Sequence, residues 1–79
     1  MATELEIQEE NRRLRWVRMI VDLTAAVLQQ EPMSLAEALA LARAAKQSVL
    51  RLFPDKEATY DLIYKPRFER LIKERMEQN

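Results

Sequence analysis

Residues 14–28, LRWVRMIVDLTAAVL, decide the fold class of this chain. Their apolar positions recur three, four and seven residues apart, which is the spacing of one face of an α-helix. A heptad repeat extends this pattern toward the N-terminus, because Ile7, Leu14, Val21 and Leu28 are each seven residues apart. The pattern therefore predicts one long amphipathic helix over about residues 4–30.

The apolar surface of this helix is broader than one ordinary partner face. Trp16, Met19 and Leu23 lie toward a different side from the heptad positions. Since a helix in a globular protein usually has one apolar stripe, we expect this one to be buried on more than one side. We predict that a second copy of the chain covers part of it, through Leu14, Val17, Ile20, Val21, Val27 and Leu28.

Three prolines divide the rest of the chain. Pro32, Pro54 and Pro66 each push the preceding residue away from the α-helical region. The expected helices cover about residues 4–30, 34–53, 55–64 and 66–78, joined by short connections typical of antiparallel neighbours. We predict a single all-α domain over residues 1–79, a small antiparallel bundle of three to four helices with a long N-terminal helix.

Local start signals differ in strength between the later helices. Ser34 and Glu37 have the spacing of a capping box, in which each side chain bonds the other's backbone N–H. Asp55 is a weaker candidate cap for a helix that begins near Lys56. Around Pro66 two interpretations stay open: two helices with a break near residues 64–65, or one kinked helix from 55 to 78.

Composition excludes several function classes. The chain has no Gly, Cys or His, so it has no Gly-rich phosphate loop, no thiolate or imidazole metal site and no Cys or His nucleophile or base. Carboxylates cluster near the N-terminus, but the sequence offers no further ligands that would complete a metal site with them. It also shows no pocket-forming signal and no nucleophile–base pair. We therefore expect no metal, no cofactor and no catalysis.

Charge and hydropathy bear on location. The 13 basic and 13 acidic residues balance, which does not favour a globally basic nucleic-acid binder. No apolar stretch reaches the roughly 18–20 residues that a membrane span needs. The acidic start of the sequence is unlike a signal peptide, so we expect a cytoplasmic protein that does not enter a membrane.

Size favours association. In chains shorter than about 70–80 residues, one hydrophobic core rarely supplies more than about 3–5 kcal/mol. A homodimer through the first helix is therefore the leading expectation. Two alternatives stay open: a monomeric bundle with Trp16, Met19 and Leu23 partly exposed, and a helical piece of a larger assembly covered by another protein.

A second candidate surface lies near the third proline. Tyr60, Tyr64, Arg67 and Phe68 combine aromatic and Arg residues, which are enriched at binding hot spots. We predict that they form a surface for another protein. The alternative is that the aromatic rings close the end of the bundle while Arg67 pairs with Asp61.

The alternative function class is a small nucleic-acid-binding regulator. It would use either the basic C-terminal helix or the cluster Arg12, Arg13, Arg15 and Arg18 beside Trp16. Arg binds phosphate well, and Trp can stack on a base. Acidic residues three or four positions away also explain the cluster as a solvated helix surface. The primary hypothesis therefore remains a non-catalytic protein–protein interaction module.

Overall fold

The computed structural model describes residues 2–77, which form four α-helices and no strand. The helices are α1 (Glu4–Gln30), α2 (Leu35–Leu52), α3 (Glu57–Ile63) and α4 (Lys65–Glu77). The predicted all-α class with a long first helix is confirmed. At 27 residues, α1 is about 40 Å long, whereas the 18 residues of α2 span about 27 Å.

The helices form a bundle in which α1 packs against both α2 and α4. A short connection returns the chain from α1 into α2. From α2 the chain passes through the short α3 into α4. Helix α4 runs parallel to α1, because Arg67 lies 4.0 Å from Asp22 while Arg75, further along α4, reaches the carbonyl of Leu28, further along α1. The N-terminal part of α1 extends past the end of α2.

Local side-chain caps start the first two helices. The Thr3 hydroxyl accepts from the Glu6 N–H at the start of α1. At α2 the predicted capping box is confirmed: the Ser34 hydroxyl accepts from the Glu37 N–H, and the Glu37 carboxylate accepts from the Ser34 N–H, both at 3.1 Å. These bonds hold the pKa of Glu37 below its usual value.

The third helix starts later than the sequence indicates. It begins at Glu57, one residue after the expected start near Lys56. Its N-cap is Lys56, which makes no side-chain cap bond, so the prediction of Asp55 as the cap is wrong. A break at Tyr64 separates α3 from α4. Backbone hydrogen bonding continues on both sides of Tyr64, from its N–H to the Tyr60 carbonyl and from the Phe68 N–H to its own carbonyl. Pro66 lies in the first turn of α4, where its missing N–H costs nothing.

The core is small and lies toward the C-terminal half of α1. Residues Leu28 and Val21 are its largest fully buried side chains. The buried apolar residues are Val17, Val21, Ala25, Leu28, Ala38, Ala45, Val49, Tyr60, Phe68 and Ile72. The chain is elongated: its radius of gyration is 14.4 Å, against about 11.6 Å expected for a compact chain of this length.

Candidate interaction surfaces

The predicted self-association residues divide between the core and the surface. Val17, Val21 and Leu28 lie in the core of the chain itself, where α2 and α4 cover them. A second copy cannot contact them while the fold is intact, so for these three the prediction of a contact between subunits is wrong. Ile20 and Val27 are half-buried, and Leu14 is half-exposed.

A second apolar stripe of α1 faces outward. Trp16, Met19 and Leu23 are 51%, 43% and 60% exposed, respectively. Their spacing of three and four residues places them on one side of the helix. The half-buried Ile20 and Val27 extend this side, and we call the five residues the outer stripe. It covers about 16 Å of helix length.

The outer stripe and the buried side of α1 are distinct faces. With 3.6 residues per turn, the centre of the outer stripe lies roughly 130° around the helix from the centre of the buried side. Only Ile20, near the boundary, packs against the core as well. The sequence pattern predicts Trp16, Met19 and Leu23 on another side of the helix but does not assign them to the interface. Their periodic spacing is the signal by which this second apolar side could be identified.

The predicted aromatic surface is mostly core. Tyr60 and Phe68 are buried, and their ring centroids are 6.5 Å apart. Tyr64 is half-buried, with its ring centroid 5.5 Å from that of Tyr60. As a contact surface for another protein, the prediction is wrong for Tyr60 and Phe68, because these rings lie in the core of the chain itself. Burial also raises the pKa of the Tyr60 hydroxyl to about 12.

Two ion-pair arrangements surround these aromatic residues. The Lys46 ammonium lies 3.1 Å from the Glu57 carboxylate and 2.9 Å from the Asp61 carboxylate, and both interactions raise the pKa of Lys46. The predicted pairing of Asp61 with Arg67 is therefore wrong. Arg67 is exposed and lies toward Asp22 of α1 instead. These pairs join α2 to α3 and α4 to α1, which is a structural role.

A groove opens where α1 extends past the end of α2. It has a volume of about 270 Å³, and its apolar wall includes Leu14, Phe53, Ile63 and Tyr64. Leu14 and Ile63 are about half exposed. Two members of the predicted aromatic surface line this groove, the buried Tyr60 and the half-buried Tyr64.

The basic cluster of α1 does not form one face. Arg12, Arg13, Arg15 and Arg18 are all exposed, but 100° steps along the helix spread them over more than half of its circumference. Arg13 also pairs with Glu9 at 3.2 Å. Arg12, Arg15 and Arg18 are each three residues apart and lie within about 120° of one another, whereas Arg13 lies on another side.

Within residues 2–77 there is no group of three or more Asp or Glu residues arranged to hold a metal ion. None of the helices in this part of the chain has the length and apolarity needed to cross a membrane.

Comparison of the chain with protein-family models, curated proteins and solved structures gives no match. The functional inference therefore rests on the chain's own residues.

Proposed function

We propose that this chain is a non-catalytic protein–protein interaction module that forms a homodimer through the outer stripe of α1. The observation that carries the proposal is the exposure of Trp16, Met19 and Leu23 on one side of a regular helix. Trp and Met are enriched at the centres of protein interfaces, whereas a scattered exposed Leu needs no explanation. The cytoplasmic location expected from the sequence remains part of this proposal.

The extent of the surface supports the same function. The accessible surface of the chain is 6166 Å², whereas a folded monomer of 9.3 kDa exposes roughly 5,000 Å². The excess, roughly 1,000 Å², is comparable with the approximately 800 Å² that each partner buries in a standard interface. A second copy packed along α1 would remove surface of this order.

The edges of the outer stripe resemble an interface rim. Arg12 and Arg15 lie near its N-terminal end, and Gln30 lies at its C-terminal end; all three are exposed. A polar rim around an apolar centre is the usual anatomy of a specific interface. The proposal thus keeps α1 as the self-association element and moves the contact from Val17, Val21 and Leu28 to the outer stripe.

The direct test is Leu23→Glu, measured by light scattering on a sizing column over a range of concentrations. We expect the wild-type chain to have the mass of two chains and the variant to have the mass of one. A buried Leu contributes about 1.5–3 kcal/mol, and a two-fold dimer contains two copies, so the dissociation constant rises by about 100-fold or more. Helix content by circular dichroism stays unchanged because Leu23 is exposed.

Leu62→Glu is the matched control. Leu62 is 78% exposed on α3, outside the outer stripe, so this variant keeps the dimer mass. A monomeric wild-type chain at every concentration, or a dimer unaffected by Leu23→Glu, contradicts the proposal. The dependence of binding on salt concentration distinguishes self-association from nucleic-acid binding, because phosphate contacts weaken steeply as salt rises.

A further inference from the structure

We infer that two copies of the chain pack their α1 helices antiparallel, so that Arg12 of each copy meets Glu31 of the other. This inference rests on the proposed self-association and specifies the geometry and the pairing of that same surface.

Four of the five apolar positions of the outer stripe match one another across its midpoint, whereas Met19 has no apolar counterpart. Trp16 and Val27 are equally far along the chain from the point between residues 21 and 22, and so are Ile20 and Leu23. A two-fold axis at that point, perpendicular to α1, therefore brings apolar residues opposite apolar residues. Such an isologous contact uses the same patch on both subunits and closes after two copies.

The charges beyond this apolar centre distinguish an antiparallel pair of α1 helices from a parallel pair. Arg12 and Glu31 lie at equal distances from the same midpoint, at opposite ends of the stripe. In an antiparallel pair each Arg12 lies near a Glu31, and the pair occurs twice. A parallel, in-register pair places Arg12 against Arg12 and Glu31 against Glu31, and such like-charge contacts disfavour the wrong arrangement.

Both residues are free to pair with a second copy. Arg12 and Glu31 are exposed, and neither makes an ion pair within residues 2–77. The last turn of α1 contains no basic residue to offset the negative end of its helix dipole. In the antiparallel pair, Arg12 of the partner brings a positive charge to this end.

Site-directed cross-linking tests the orientation, since the chain has no native cysteine. Arg12→Cys and Glu31→Cys chains carrying tags of different mass are mixed at equal concentration and treated with a short bis-maleimide. We expect the mixed product to dominate and each variant alone to give little product. Glu74→Cys, exposed on α4, measures the background from random collisions.

The outcomes separate this inference from the proposed function. If Arg12→Cys alone cross-links efficiently, the helices are parallel: the orientation is wrong while the dimer stands. A dimer mass without cross-linking above the Glu74→Cys background also overturns the orientation. If the wild-type chain is a monomer, the proposed function itself fails.

A charge exchange gives an independent readout. Arg12→Glu is expected to raise the dissociation constant by about five-fold, because two exposed ion pairs become repulsive contacts. Adding Glu31→Arg to the same chain restores the opposite charges and the wild-type constant. If the double variant binds more weakly than Arg12→Glu alone, the two side chains do not meet.

Discussion

Two apolar sides of the same helix have opposite environments. One side of α1 places Val21 and Leu28 among side chains of the other helices, where they are 2% and 0% exposed. The other side leaves Trp16 and Leu23 at the surface. The two sides use residues of similar hydrophobicity, so the residue types do not decide which side is buried.

The positions of α2 and α4 make the difference. The buried residues of α1 lie on one part of its circumference, and α2 and α4 pack against this helix. The residues that face them lose their solvent contact, and burial of a large aliphatic side chain contributes about 1.5–3 kcal/mol. Among residues 2–77, the other side keeps Trp16, Met19 and Leu23 exposed. Under the proposed function, the outer stripe gains the same stabilisation from a second molecule.

The largest expected effect comes from removing the same side-chain atoms on each side. Leu28→Ala leaves a cavity in the core and lowers the free energy of unfolding by about 2–5 kcal/mol. Leu23→Ala removes the same atoms from the surface and changes the monomer's stability by less than about 0.5 kcal/mol. Urea unfolding at a concentration below the dimer dissociation constant measures both.

The contrast between the two variants is the informative quantity. The free energy of unfolding that Leu28→Ala removes is about as large as the whole stability expected for so small a core. We therefore expect this variant to be largely unfolded at 37 °C. Equal losses for the two variants would mean that α1 is rotated relative to the arrangement described here. Dilution is essential, because association adds to the apparent stability of any chain that dimerises.

Local signals in the sequence predict most of the fold. The capping box at Ser34 and Glu37 depends on residues three positions apart, so it is readable without a structure. Helix periodicity likewise predicts the length of α1. The cap prediction at Asp55 is wrong by one residue, since the N-cap of α3 is Lys56, which makes no side-chain cap bond.

Which apolar side of α1 stays exposed is much harder to predict. Val21 and Leu23 both belong to apolar periodic patterns, and their environments depend on helices that follow later in the sequence. The same limit applies to Tyr60 and Phe68, whose burial in the core depends on α1 and α2 as well as on their own helices. Contacts between distant segments, such as the bond between Arg75 and the Leu28 carbonyl, have no local signal.

That bond gives the second prediction, which concerns how the buried side of α1 ends. The Arg75 guanidinium donates to the Leu28 carbonyl at 2.8 Å, and this carbonyl is among the last four of α1, which lack intrahelical donors. Arg75→Met keeps much of the aliphatic contact but removes the donor. We expect unfolding in urea to show a loss of about 1–3 kcal/mol.

Arg70→Met is the matched control on the same helix. Arg70 is exposed, so its replacement should change stability by less than about 0.5 kcal/mol. Equal stability of the two variants would show that the bond to Leu28 does not hold α4 against the C-terminal end of α1. The buried side would then be fixed by apolar packing alone.

The smallest expected effect at neutral pH is that of Tyr60→Phe, which tests a polar group on the buried side. The Tyr60 hydroxyl is buried without a hydrogen-bond partner among residues 2–77, so its removal should change stability by less than about 1 kcal/mol at pH 7.

Burial raises the pKa of the Tyr60 hydroxyl from the usual value of 10 to about 12, so the folded chain retains this proton where the unfolded chain loses it. The resulting stabilisation is complete below pH 10 and is lost as the pH rises toward 12. We therefore expect the wild-type chain to lose stability in this interval relative to Tyr60→Phe, measured by urea unfolding at pH 9, 10 and 11. Parallel pH profiles would place the Tyr60 hydroxyl in water and move the boundary of the core away from this ring.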